Sequence, residues 1–184
     1  PENIDKALTA VKEYIESKPE TGAEILGVHL EGPFISKDFI GAQPLEYVAA
    51  PNVEVFKHYE EVSGNNIKLV SMAVEVEGAE DLVSYLASKG IVASIGHSNA
   101  KYADVEKAVK VGLSNATHTY NAMKPVHHRE IGTVGASFLL DELNWDANTS
   151  NHNGTTLVMY LMTIASRDSN IAYFKKFLER EKVD

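Results

Sequence analysis

The sequence predicts an α/β fold in which short parallel strands alternate with helices, and three observations carry that prediction. Apolar runs of strand length alternate with segments of helical period from the first residues to about residue 118. The runs lead into polar side chains that do chemistry: Glu31, Glu75, His97 and His118. Glycine and proline fall between the segments, where turns belong. A (β/α) barrel places its chemistry at the C-terminal ends of its strands. A doubly wound open sheet uses the same edge. Neither a Gly-x-Gly-x-x-Gly nor a Walker A sequence is present, which disfavours the nucleotide-binding version.

The elements follow in order. Asn3 is placed to cap a helix running to about Ser17, with Ile4, Leu8, Val11 and Ile15 on one face and Pro19 and Gly22 ending it. A strand over 25–30 opens with the apolar run Ile25-Leu26-Gly27-Val28. Gly32-Pro33 turns the chain directly after Glu31, because neither residue continues a central strand. The long loop containing Gly41-Ala42-Gln43-Pro44 is of the kind that carries function. Residues 52–62 are compatible with a short helix. Ile67–Val76 is the next strand, with Glu75 at its far end as a helix-capping acid. Ala79–Ser88 is a helix with Leu82, Val83 and Leu86 inward, stopped by Gly90. A strand at 91–96 follows, then a helix of about 100–111 with Val105, Ala108 and Val109 inward, then a strand at 114–117. Thr119–Gly135 is loop-like and dense in polar groups, and Gly135–Leu140 is a short strand or a helical turn. Residues 144–154 are turn-forming. The apolar run 157–164 is helix or strand, and 170–182 is a helix with Ile171, Phe174, Phe177 and Leu178 on one side.

Length and composition bound the function. A chain of 184 residues is long enough for one domain with a real core. The formal net charge of -9 argues against a general nucleic-acid or anionic-membrane surface, while leaving room for a local basic pocket. With no cysteine, disulfides and thiolate-bound zinc are excluded, so any metal here uses histidine and carboxylate. No signal peptide or membrane-spanning run is visible, and the default reading is cytoplasmic.

Glu31, His97 and His118 sit at the ends of three strands and suit a divalent metal ion, zinc or iron above all. Three protein ligands leave a position for water, whose pKa the metal lowers. The bland alternative is that strand-end polar groups simply face water. His127-His128-Arg129 forms a candidate anion clamp in an acidic chain, against the plainer reading of a solvated loop. Asn121 and Gln43 lie past strand ends in punctuated loops, where their amides either orient a substrate or make turns. Glu75 is a group behind the metal or, the preferred reading, a helix-capping acid. His58 and His152 read as surface residues.

Five blocks in series resemble one family. They are His29-Leu30-Glu31-Gly32-Pro33-Phe34, Gly41-Ala42-Gln43-Pro44, Gly96-His97-Ser98, Ala116-Thr117-His118-Thr119-Tyr120-Asn121-Ala122-Met123, and His127-His128-Arg129-Glu130 with Gly132. Order and distances resemble the N-acetylglucosamine-6-phosphate deacetylases, over about residues 1–140. The resemblance implies the amidohydrolase superfamily of metal-dependent (β/α)8 barrels, and hydrolysis of N-acetylglucosamine 6-phosphate to glucosamine 6-phosphate and acetate. It implies that Glu31, His97 and His118 bind the metal, that Ala42, Gln43, Asn121 and Ala122 contact the substrate, and that Arg129 binds the phosphate. Some members carry histidine where Gln43 stands.

The chain also departs from that pattern. The family's His-x-His pair would precede Pro1, and its catalytic aspartate would lie well beyond residue 140. Nothing in 141–184 resembles its surroundings. About four strands are evident where a closed barrel needs eight. The sequence thus predicts a partial (β/α)8 barrel over residues 1–140 and a divergent tail over 141–184, acting on a small amino-sugar phosphate, with impaired turnover as a partial chain. The alternatives are an amidohydrolase of cyclic amides and a folded non-catalytic fragment that associates with another copy through its sheet edge.

Overall fold

The computed structural model describes residues 2–18 and 22–139. Among them, four strands form one parallel sheet in the order β1 (Val28–Glu31), β2 (Ile67–Met72), β3 (Val92–Ile95) and β4 (Leu113–Ala116). Helices connect them: α1 (Glu2–Ser17) precedes β1, α2 (Val53–Val62) precedes β2, α3 (Ala79–Ser88) precedes β3, and α4 (Tyr102–Lys110) precedes β4. A further helix, α5 (Gly132–Leu139), follows the loop after β4. Parallel strands need such crossovers.

The pleat sorts the side chains into two faces. Register aligns Leu30, Val70 and Ala93 on one face, with Met72 and Ile95 as a second row. These join Phe56, Leu82, Val83, Leu86, Val105 and Ala108 in the hydrophobic core. The inward positions of α3 recur at the helical period, and each buried leucine there contributes about 1.5–3 kcal/mol. The opposite face is aligned as Glu31, Ser71, Ser94 and Asn115. It is polar, and it carries Glu31 away from the core.

Local chemistry explains the helix starts. The Asn52 side chain accepts from Val55 N at 3.0 Å and caps α2. Phe56 and Tyr59, one turn apart, are its buried residues. α5 is anchored by Thr133, whose hydroxyl donates to Ala100 O at 2.8 Å. That bond ties α5 to the loop after β3.

Several expectations are corrected. α1 begins at Glu2, so Asn3 lies inside the helix and does not cap it. The first strand begins at Val28, later than the apolar run implies. Leu26 is 82% exposed, and Gly27, at φ +156, lies so close to Lys68 and the Asn66 carbonyl that a side chain would not fit. β2 stops at Met72, because Ala73 N turns to donate to Phe34 O. Glu75 therefore lies in a loop. It does not cap α3, whose N-cap position is Gly78. It accepts instead from Ser98 Oγ at 2.7 Å and Asn99 N at 2.6 Å. The predicted loop to Gly135 already becomes helix at Gly132. The stretches 144–154, 157–164 and 170–182, with His152, lie outside the described residues.

Candidate metal centre

Glu31 ends β1, while His97 and His118 each lie two residues past the ends of β3 and β4. In a parallel sheet all three therefore emerge at the same edge. His97 Nε2 lies 2.8 Å and His118 Nε2 3.0 Å from Glu31 Oε1, and the two Nε2 atoms are 3.2 Å apart. His97 is buried, whereas Glu31 and His118 are exposed. Both histidines have left-handed backbone, at φ 51° for His97 and φ 33° for His118. Histidine is enriched there among residues with a side chain, and such conformations concentrate at functional sites.

The opposite ring nitrogens decide the chemistry. His97 Nδ1 lies 2.8 Å from Phe39 O, and His118 Nδ1 lies 3.1 Å from Asn121 O. A carbonyl oxygen only accepts, so each Nδ1 carries the proton and donates. A neutral imidazole then presents a bare lone pair at Nε2. Two such lone pairs converge on a carboxylate oxygen, and three acceptors this close suit a cation among them. Protonating both Nε2 atoms would set two N–H groups 3.2 Å apart, against each other. The residues fit a divalent ion held by two imidazoles and a carboxylate, with backbone carbonyls fixing both tautomers. Burial pushes the Glu31 carboxyl up, and the imidazoles of His118 and His97 that face it pull it further the other way, so the group lies below its ordinary value.

The loop after β1 folds back over this cluster. Phe39 supplies the carbonyl behind His97, and Gly41 lies against the His97 ring, where an added Cβ would stand 3.0 Å from Cε1. Gln43 Nε2 donates to Glu31 O at 3.4 Å. Ala42 is exposed beside it. The loop after β4 closes the other side. Asn121 supplies the carbonyl behind His118, and Ala122 O accepts from Ser98 N at 3.0 Å. Asn121 and Ala122 are thus brought to the cluster through their backbone. Arg129 is exposed on the following turn, and among the described residues its guanidinium has no ion-pair partner. His127 accepts from Arg129 N at 3.3 Å and stacks near His128 at 4.0 Å between centroids. His58 is a surface residue, as expected, and pairs with Asp5 of α1 at 3.1 Å.

Sequence reasoning missed Phe39, whose role is carried by a carbonyl that every residue possesses. It also missed Ser71, Ser94 and Thr117. Ser71 Oγ lies 2.6 Å from His29 Nε2 and 2.5 Å from Thr117 Oγ1, which lies 2.6 Å from Ser94 Oγ. Serines inside otherwise apolar strands were the available signal.

Parallel strands backed by helices, with a Glu-His-His cluster at the C-terminal edge, define a section of a TIM-type barrel with a candidate metal centre. The chain is related to the N-acetylglucosamine-6-phosphate deacetylases. It is 45% identical to that enzyme of Lysinibacillus sphaericus over 121 residues, covering 66% of this chain and 31% of the relative. It is 43% identical to that of Bacillus subtilis (strain 168) over 141 residues, covering 76% and 36%. The crystal structure of the Thermotoga maritima enzyme superposes with a TM-score of 0.68 at 32% identity, covering 90% of this chain and 43% of that one. The chain thus spans about a third of the length of the curated relatives it matches. No protein-family model matches it.

Proposed function

We propose that this chain carries the metal grip and part of the sugar-phosphate grip of a metal-dependent amide hydrolase, which converts N-acetylglucosamine 6-phosphate to glucosamine 6-phosphate and acetate. The observation that carries this reading is the convergence of Glu31 Oε1, His97 Nε2 and His118 Nε2 with both Nδ1 atoms tied to carbonyls. The names of the relatives supply the substrate. Glu31, His97 and His118 would hold the ion, zinc or iron by the chemistry of the donors. Such an ion polarises the amide carbonyl and acidifies a water. Gln43, fixed by its bond to the Glu31 carbonyl, orients the acetamide, while Ala42 lines the same loop. Arg129 offers a fork of donors to the phosphate, and Asn121 and Ala122 contact the sugar phosphate beside it. Together they would hold the scissile bond beside the Glu31, His97 and His118 trio, turning binding into orientation.

The same reading covers setting and assembly. Among the described residues no helix is long and apolar enough to cross a membrane. A phosphorylated metabolite and a chain without cysteine fit the cytoplasm. The outer edges of β1 and β4 would be covered by further barrel strands or by a second copy, which sedimentation distinguishes by mass.

The test is elemental analysis of chelator-free protein beside a Glu31→Ala/His97→Ala variant. About one zinc or iron per chain, lost in the variant, is expected. Metal-free wild-type protein that also fails to take up added zinc would refute the reading.

A further inference from the structure

β2 contributes no ligand to the trio, yet its Ser71 belongs to a hydrogen-bond network beneath it. Ser71 is fully buried and shares hydrogen bonds with His29, two residues before Glu31, and with Thr117, the residue before His118. Thr117 shares a second hydrogen bond with Ser94 of β3, three residues before His97. Ser94 is 1% exposed. Thr117 also packs on Gly96, the residue before His97: a Cβ on Gly96 would stand 3.0 Å from Thr117 Cβ and 3.7 Å from Ser71 Cβ. One short network thus joins the strand segments leading to Glu31, His97 and His118.

From this geometry we infer that His29, Ser71, Ser94 and Thr117 form a hydrogen-bonded floor that sets the spacing of the three ligand atoms, with Thr117 as the central positioning residue. The inference rests on the metal-centre reading above. Its physical basis is directional. A hydroxyl has one proton to give and two lone pairs, so Thr117 Oγ1 donates to at most one of the two serines and accepts from at least one of them. That arrangement tolerates little sliding of β4 past β2 and β3. His118 follows Thr117 directly, and a shift of Thr117 therefore moves Nε2. Groups hydrogen-bonded directly to metal ligands commonly change affinity by about 10–100-fold when removed, and this floor acts one step further out, through the backbone that carries the ligands. Valine keeps the volume of Thr117 and removes the hydroxyl, leaving Ser71 and Ser94 each short of a partner.

The test uses the whole chain, cobalt(II) as the probe, and three versions: wild type, Thr117→Val and Thr117→Ser. Cobalt affinity is read by competition with a chelator, and ligand geometry by the visible absorption of the bound ion. Thr117→Val is expected to bind cobalt at least about tenfold more weakly and with an altered spectrum, and Thr117→Ser to restore both. A purely structural role would lower the melting temperature of all metal-free variants without changing the spectrum. Wild-type affinity and spectrum in folded Thr117→Val would overturn the inference. Should that variant not fold, Ser94→Ala removes one of the two partners and is read the same way. If wild-type protein takes up no cobalt, the metal-centre reading itself falls, and this inference with it.

Discussion

His97 and His118 meet edge to face, their ring centroids 4.9 Å apart and their planes 81° apart, with Nε2 of each aimed at the same Glu31 oxygen. The pair is held from outside by two loops. Phe39 lies behind one ring and Asn121 behind the other. The ligand spacing therefore depends on residues that never touch the ion, and that dependence is open to test.

Gly41 is the first such residue. Its φ of +59° is left-handed, and a methyl there would press on His97 Cε1 at 3.0 Å. Gly41→Ala pays about 1 kcal/mol in backbone strain and also displaces the ring. The expected result is metal affinity about tenfold weaker with the fold retained. Chelator competition with zinc measures it, and unchanged affinity would show that the loop yields freely.

The proposed role of Arg129 is to separate phosphorylated from plain ligands. Charge-assisted bonds to an anion contribute about 1.5–3 kcal/mol. Arg129→Ala is therefore expected to weaken N-acetylglucosamine 6-phosphate binding by tenfold or more, with little change for N-acetylglucosamine, by calorimetry. An equal effect on both ligands would favour an amidohydrolase whose substrate carries no phosphate.

How much of this was legible in the sequence depends on the kind of signal. The α3 helix was readable because Leu82, Val83 and Leu86 repeat at the helical period between Gly78 and Gly90. The trio Glu31, His97 and His118 was readable as strand-end residues, since parallel strands share one edge. The start of β1 was not, because Leu26 is apolar yet 82% exposed. The seat of Glu75 was not readable either, since Ala73 and Val74 continue the apolar run after pairing has ended. The hydroxyl floor depends on register, which sets Ser71 beside Ser94, and register is a property of paired strands.

Leu82 tests the core that supports the sheet. It is fully buried on α3. Leu82→Ala is expected to cost about 2–5 kcal/mol, as buried leucine truncations do. Urea denaturation followed by circular dichroism reads the loss, and a cost under about 1 kcal/mol would mean that the site collapses around the missing atoms.

Turnover by the 184-residue chain alone is expected to be very low. Among the described residues, the group able to hold an ion contains one carboxylate, Glu31, which the proposed centre uses as a ligand. General-base and general-acid steps need a further group poised near the water. An assay of acetate release from N-acetylglucosamine 6-phosphate in the presence of zinc checks this. Robust turnover would mean that another acid of this chain moves the proton.

Alkaline stability offers a test remote from the site. Tyr85 Oη donates to Glu60 Oε2 at 2.7 Å, joining α3 to α2. That bond, with burial and the Glu60 and Glu54 charges, pushes the phenol up to about 12. Lys57 and Lys89 lie over the ring at 5.6 and 5.5 Å. An unfolded tyrosine ionises near about 10. The folded value is the higher, so the folded state holds the proton more tightly. The contribution of Tyr85 is then fully present below about 10 and is lost as pH rises through about 12. Wild-type stability is expected to fall across that window, and Tyr85→Phe, less stable at neutral pH, is expected to fall less. Urea midpoints across the window measure the difference. Parallel curves for the two proteins would mean that the bond to Glu60 does not govern the ionisation of Tyr85.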